Sequence, residues 1–235
     1  MISTFRLDIN QPLTVKDWLI IPSQRLRTVR AGQIYHDGLG RLAEIRARFH
    51  WYPHDLWLYL LASQWQRIDQ DAPFLGRTGF VGDELGSELL ASRLVTDLMN
   101  LAFLMAQEYA PYRKWFGTAF QQLSIAKDLT PIFEAVLQSR QWQDRERHLT
   151  QAYLRVIKAH NELNLTEPIP VQVQPFFDRP FLVPPAGQII SALRSKITDP
   201  EILALPVGVG NINQVSDNTD ILDDLDNGEK LKALY

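Results

Sequence analysis

The chain has 235 residues, 46% hydrophobic and 22% charged, which is enough to bury a core as one large domain or two small ones. It contains no cysteine, and this excludes disulfides, thiolate zinc sites and thiol nucleophiles and fits a reducing compartment. Its 24 Lys/Arg against 27 Asp/Glu give a net charge of −3, a poor electrostatic footprint for general nucleic-acid binding.

The charge is unevenly spread. Residues 1–50 hold eight cations and four anions, whereas residues 199–235 hold two and eight. The acidic tail DNTDILDDLDNGEK is therefore expected to be solvated or to lie against the basic N-terminal face. The opening residues lack the charged and apolar regions of a signal peptide, so no secretory leader is expected. The longest apolar run, LVTDLMNLAFLM, is broken by Asp97 and Asn100 and does not span a bilayer. A cytoplasmic protein without a membrane partner is the expectation.

From the N-terminus, Thr14 can cap a helix over TVKDWLI, Pro22 suits the first turn of PSQRLRTVRA, and Gly32 suits its end. IYHDG is the best strand-and-turn candidate. LGRLAEIRARFHW is amphipathic, and after Pro53 the residues Trp57, Leu61, Trp65 and Ile68 recur at helical spacing. FLGRTGFVGDELGS, punctuated by glycines, is expected to link this helix to the longest apolar one, from about Glu84 to Tyr109. Helices are expected at Tyr112–Leu123, Pro131–Gln138, Asp144–Leu163 and Gln188–Lys196, and the six prolines of residues 167–185 require an extended or looped segment. The predicted fold is all-α: one helical bundle spanning residues 1–235, with about seven to nine helices. It divides into N-terminal helices (1–50), a core bundle (51–165), and a proline-rich strap, last helix and acidic tail (166–235).

Several motif fragments fail on order or spacing. SIAK, SDN and RTG imitate a serine β-lactam site, but RTG comes first in the chain and in a helical context. Gly86-Ser87 followed by Asp97-Leu98-Met99 imitates a minimal nucleotidyltransferase, yet Met99 cannot ligate a hard cation. His50 and His54 have helical metal spacing but flank Pro53, and Leu225 occupies a ligand position of the only calcium-loop alignment, so no metal is expected. Arg155 and His160 form the Arg-x4-His spacing of helical ribonucleases. Five helical residues turn the two side chains about 140° apart, and His160 instead continues the stripe Leu149, Tyr153, Val156, His160, Leu163. A ribonuclease using this pair is the runner-up reading, and a non-enzymatic interaction module is another.

Three polar features do not resemble ordinary surface. Arg93, Asp97 and Asn100 share a stripe on a helix otherwise apolar on nearly all sides, so the stripe faces either a cleft or an internal network. Arg93 is expected to hold Asp97. Arg77, Asp83 and Glu84 flank the glycine-rich stretch, where Asp83 can cap the long helix and Arg77 is placed for close approach to a ligand. Finally, EYAPYRKWFGTAF sets Arg113 and Lys114 between Tyr112 and Trp115. The cations can pair with phosphates while a ring stacks on a base, or Trp115 and Phe116 can fill a corner with the cations reaching outward.

The succession WYPHDLWLYLLASQWQRI, GRTGFVGDELGS, RLVTDLMNLAFL, YAPYRKWFGTAF, HNELNLTEP, FFDRPF and QVSDNTDIL resembles a bacterial helical domain family of unknown function that follows a minimal nucleotidyltransferase domain. The resemblance implies a substrate-binding-like helical domain, not catalytic alone, whose partner is a nucleotidyltransferase domain or chain. Because the chain begins almost where that domain should end, catalysis is expected from a longer polypeptide or from a separate chain. Magnesium and a nucleoside triphosphate are then expected only in that company, with a nucleotide or small molecule as substrate. Arg93, Asp97 and Lys114 are expected to converge on one cleft.

Overall fold

The computed structural model describes residues 11–235. Residues 1–10, on which the expectation of no leader rests, lie outside the described residues. The chain is mostly helical, with 13 α-helices among the described residues and a single two-residue antiparallel bridge.

Helix α1 (Val15–Ile20) opens on a capping box in which Thr14 and Asp17 satisfy each other's backbone N–H groups. Helices α2 (Ser23–Arg30) and α3 (Arg41–Arg48) follow, and Gly32 and Gly40 supply the left-handed turns outside them. IYHDG lies in the loop between these helices and forms no strand. The core is built on α4 (His54–Phe80), where every residue from Leu56 to Trp65 is buried. It runs antiparallel to α5 (Glu84–Met105), joined by a turn at Val81-Gly82. Helix α6 (Arg113–Phe120) meets α5 through Phe116 and Phe120 against Phe103, while α7 (Ala126–Gln138) and α8 (Trp142–Glu162) pair with each other and both contact α5, α8 touching α4 as well.

The glycine-punctuated stretch is not a link. Helix α4 continues through Pro73, Gly76 and Gly79 to Phe80. The glycines serve close packing: a Cβ on Gly76 would stand 2.5 Å from the Phe181 ring, and one on Gly79 would stand 2.1 Å from Trp142. The proline-rich segment is looped and non-helical as expected, and it turns back on itself to pair Gln174 with Val183 and Pro175 with Leu182. It thereby presents Phe181 to Phe80 and Trp142, with ring centroids 5.9 Å from each.

Helix α9 (Ala186–Arg194) packs on α4. The helices beyond the expected seven to nine are short ones after it: α10 (Pro200–Leu203), α11 (Ile212–Val215), α12 (Thr219–Asp223) and α13 (Leu225–Leu231). Each starts at a capping side chain: Asp199, Asn211, Asn218 and Asp224. The acid-rich composition of the tail is partly this series of caps. The tail also lies against the N-terminal helices. Arg25 donates to the Asp223 carbonyl at 2.6 Å, while the ion pair between Lys232 and Asp17, at 2.6 Å, has the opposite polarity to the one expected.

Candidate functional site

The seam between α4 and α5 carries a ladder of charges. Arg67 Nε meets Asp97 Oδ1 at 3.1 Å, and one turn away Arg93 Nε meets Asp71 Oδ2 at 2.6 Å. Both helices carry Arg-x3-Asp in the same chain direction. Because they run antiparallel, each arginine is set opposite the other helix's aspartate. Arg93 therefore does not hold Asp97, contrary to expectation. The Asp97 carboxylate points across the seam, where Gln64 Nε2 also donates to it at 3.0 Å. Burial pushes the Asp71 carboxyl up, and the Arg93 charge opposes that shift.

Further along the seam the network reaches the tail. Arg67 donates to the Gln214 carbonyl at 2.9 Å, and Gln214 Nε2 donates to Gln64 Oε1 at 3.1 Å. Asn211 Nδ2 donates to the Tyr52 hydroxyl at 3.1 Å, while Tyr59 bridges the Pro206 carbonyl (2.9 Å) and the Gly210 N–H (3.1 Å). The Ser23 N–H donates to Asn213 Oδ1 at 2.8 Å. Residues 206–214 are thus strapped over α4 by hydroxyls and amides.

Beneath this strap lies a cleft whose walls come from Ser23, Trp51 and Tyr52, Gln64, Asn100 and the turn after α5, and the strap itself. Trp51, Tyr52 and Tyr109 form an aromatic cluster with centroids 4.8–5.2 Å apart. Burial drives the Tyr52 and Tyr109 phenols far above the usual range, so they act as neutral hydrogen-bonding groups. Asn100, alone among the three residues of the expected stripe, lines the cleft.

The remaining candidates stand apart from it. At the far end of α5, Asp83 caps the helix as expected, accepting from Gly86 N at 2.8 Å. Glu84 ties the start of α5 to that of α8, binding the buried Arg145 at 2.6 Å. Arg77 is on the exposed face of α4 with its guanidinium 5.4 Å from the Phe74 ring centroid, so the approach to a ligand through flexible glycines is not its setting.

At the opposite end, the corner after Pro111 divides its aromatics. Phe116 turns inward onto Phe103 (centroids 5.4 Å), while Tyr112 and Trp115 stay exposed. Lys114 Nζ sits 5.3 Å from the Trp115 ring centroid, and Arg113 pairs with Asp217 of the tail. The convergence of Arg93, Asp97 and Lys114 on one cleft does not occur. Arg93 is twelve residues, roughly 18 Å, before the end of α5, beyond which Lys114 lies.

Arg155 and His160 also have separate surroundings. Arg155 Nε binds Asp128 at 2.7 Å. His160 is buried with its ring edge-on to Trp65 at 6.2 Å, and burial lowers its pKa to about 4. Its ring nitrogen Nε2 lies 3.4 Å from the Thr166 hydroxyl. Arg67, Asp71 and Gln64, which build the network, were missed in the sequence. The paired Arg-x3-Asp spacing on consecutive antiparallel helices was the signal that could have found the first two.

Residues 18–116 match the family model of DUF4037, a domain of unknown function. The matched region takes in both Arg-x3-Asp pairs and every wall of the cleft except the strap, and it ends within the lip at Phe116. No curated protein and no solved structure matches the chain. No helix among the described residues is long and apolar enough to cross a membrane.

Proposed function

We propose that the chain is a helical binding domain that works with a nucleotidyltransferase domain or chain and supplies no catalysis alone. The observation that carries this reading is the lip at the end of α5. There Tyr112 and Trp115 remain exposed beside Lys114, next to a corner that Phe116 already fills. An exposed Trp stacked with a cation has no packing role of its own and suits a partner surface or a phosphate-bearing ligand. The likeness of the long motifs to a nucleotidyltransferase-associated helical family supplies the class of partner. Magnesium and a nucleoside triphosphate belong to the assembled system, in which a nucleotide or small molecule is the substrate.

The test is co-expression with a minimal nucleotidyltransferase, bearing Gly-Ser and Asp-x-Asp, encoded beside this gene. The two chains should co-purify. Lys114→Glu should weaken the association by roughly 1–3 kcal/mol without altering the melting temperature. Failure to associate, or indifference to Lys114→Glu and to Trp115→Ala, would count against the lip.

A second surface favours the interaction-module reading. Phe80, Val81, Leu85 and Leu89 are exposed together around the α4–α5 turn, an apolar grouping of the kind that marks contact surfaces. Replacing Leu85 and Leu89 by Ser separates the two readings, since only a partner docked at the turn would be lost.

A further inference from the structure

The hairpin of α4 and α5 has one covered face and one open face. On α4, a Cβ on Gly76 would meet Phe181 and one on Gly79 would meet Trp142, so that side is closed by the proline-rich segment and α8. On α5, Glu84 and Glu88 reach Arg145 of α8 at 2.6 and 4.0 Å. The other stripes stay open. Phe74, Arg77 and Val81 are exposed at three- and four-residue spacing from the last turns of α4 into the turn, and Leu85, Leu89 and Arg93 at four-residue spacing from the start of α5. Arg93 Nε crosses the seam to Asp71 Oδ2 at 2.6 Å, and Asp71 is one turn before Phe74, so the two stripes lie on the same side of the hairpin. The register that pairs Arg67 with Asp97 and Arg93 with Asp71 sets Phe74 across from residues 89 and 90. The result is a shallow groove between antiparallel helices, roughly 12 Å or two to three helical turns long. With Val81 78%, Leu85 69% and Leu89 65% exposed, it is an apolar surface of the kind that marks contacts.

The charge of this face selects what covers it. Arg77 makes no ion pair among the described residues, and its guanidinium lies 5.4 Å from the Phe74 ring centroid. Arg93 engages Asp71 through Nε only, and its side chain is more than half exposed. The acids nearby are turned away or already used: Glu84 and Glu88 reach Arg145, Asp83 caps α5, and Asp71 is buried. A second copy of this chain would set arginine against arginine across the groove, and that repulsion opposes self-pairing. An anionic membrane surface calls for a cluster of about four to eight Lys/Arg, whereas this face carries Arg77 and Arg93 alone. An apolar segment bearing carboxylates fits both the groove and its charge. Between two antiparallel helices such a segment packs best as a third helix, at roughly 8–10 Å from each.

We propose that the open face of the α4–α5 hairpin docks an acidic amphipathic helix of a partner protein. The apolar stripe of that helix lies against Phe74, Val81, Leu85 and Leu89, and carboxylates on its two flanks pair with Arg77 on one wall and Arg93 on the other. The proposal rests on the reading of the α4–α5 turn as a contact surface. It leaves the lip, with Lys114 and Trp115, to its own partner.

The probe is a fluorescein-labelled, helix-forming peptide of about 15 residues, with leucines at i, i+4 and i+7 and glutamates on both flanks. A twin peptide carries lysine in place of each glutamate. Anisotropy titrations with the full chain should give a saturable curve for the acidic peptide, with a Kd on the order of 0.1 mM, and binding about tenfold weaker for the twin. Arg77→Glu should invert that preference, weakening the acidic peptide about tenfold and strengthening the basic one. Leu89→Ser should weaken both peptides. Both residues are exposed, so thermal melts of the two variants should match the parent. No saturable binding of either peptide overturns the proposal together with the contact-surface reading. Equal binding of the two peptides, or a preference that Arg77→Glu leaves unchanged, overturns the acidic helix and spares the contact surface. A dimer in sedimentation that Leu89→Ser dissolves, or binding to phosphatidylserine vesicles that Arg77→Glu abolishes, overturns it in favour of a second copy or a membrane.

Discussion

Replacing Arg67 by Ala should destabilise the protein by about 3 kcal/mol, more than the same change at Arg93. The Arg67 side chain is 28% exposed, but Asp97 is only 4% exposed, so removing the cation leaves a carboxylate facing protein. Breaking a buried pair from one side costs roughly 3–5 kcal/mol, and the partial exposure of Arg67 places this pair at the low end. The bond to the Gln214 carbonyl, worth about 1 kcal/mol, goes as well. Protonation sets a ceiling, because neutralising an aspartate at pH 7 costs about 4 kcal/mol. Arg93 is 56% exposed, and its loss should cost about 1 kcal/mol. Urea unfolding followed by circular dichroism reads both values. Arg67→Ala introduced into an Asp97→Asn background should cost only about 1 kcal/mol, since no charge is then stranded. A cost below about 1 kcal/mol in the native background, no relief from Asp97→Asn, or a larger effect at Arg93 would refute the ladder as a stabilising element.

The buried His160 has a folded pKa of about 4 against an ordinary 6.5, so the unfolded chain takes the proton first. Its contribution is fully present above about pH 6.5 and is lost as pH falls toward 4, about 3 kcal/mol in all. His160→Gln should remove that part of the pH slope, and an unchanged slope would show that the ring is not buried neutral. Among the glycines, Gly79→Ala should destabilise despite the better helix propensity of Ala, because its Cβ would meet Trp142 at 2.1 Å. Gly117→Ala, where nothing lies within 4 Å, should instead raise stability by about 0.5–1 kcal/mol. Thermal melts of the two variants moving in the same direction would contradict the packing account. The charge reversal at Lys114 described above tests the lip through binding, with stability as its control.

The helical character of the chain was legible because its signals are local. The spacing of Trp57, Leu61, Trp65 and Ile68 reports one face of one helix, and Thr14 and Asp83 each satisfy an N–H group three residues away. The same locality misread Gly76 and Gly79 as a flexible link. What they do depends on Phe181 and Trp142, which lie far along the chain and occupy the missing side-chain volume. Asp97 was correctly singled out as a polar residue on a buried helix, but its partner was sought on its own helix. Only antiparallel docking of α4 on α5 set Arg67 opposite it. The cleft is the extreme case, since its walls come from residues 23, 51–52, 64, 100–110 and 211–214. Sequence periodicity determines which face of each segment is apolar, because that depends on the helical repeat alone. Which segments meet, and which polar groups pair where they meet, depends on the packing of side chains distant in sequence, and the tertiary structure decides it.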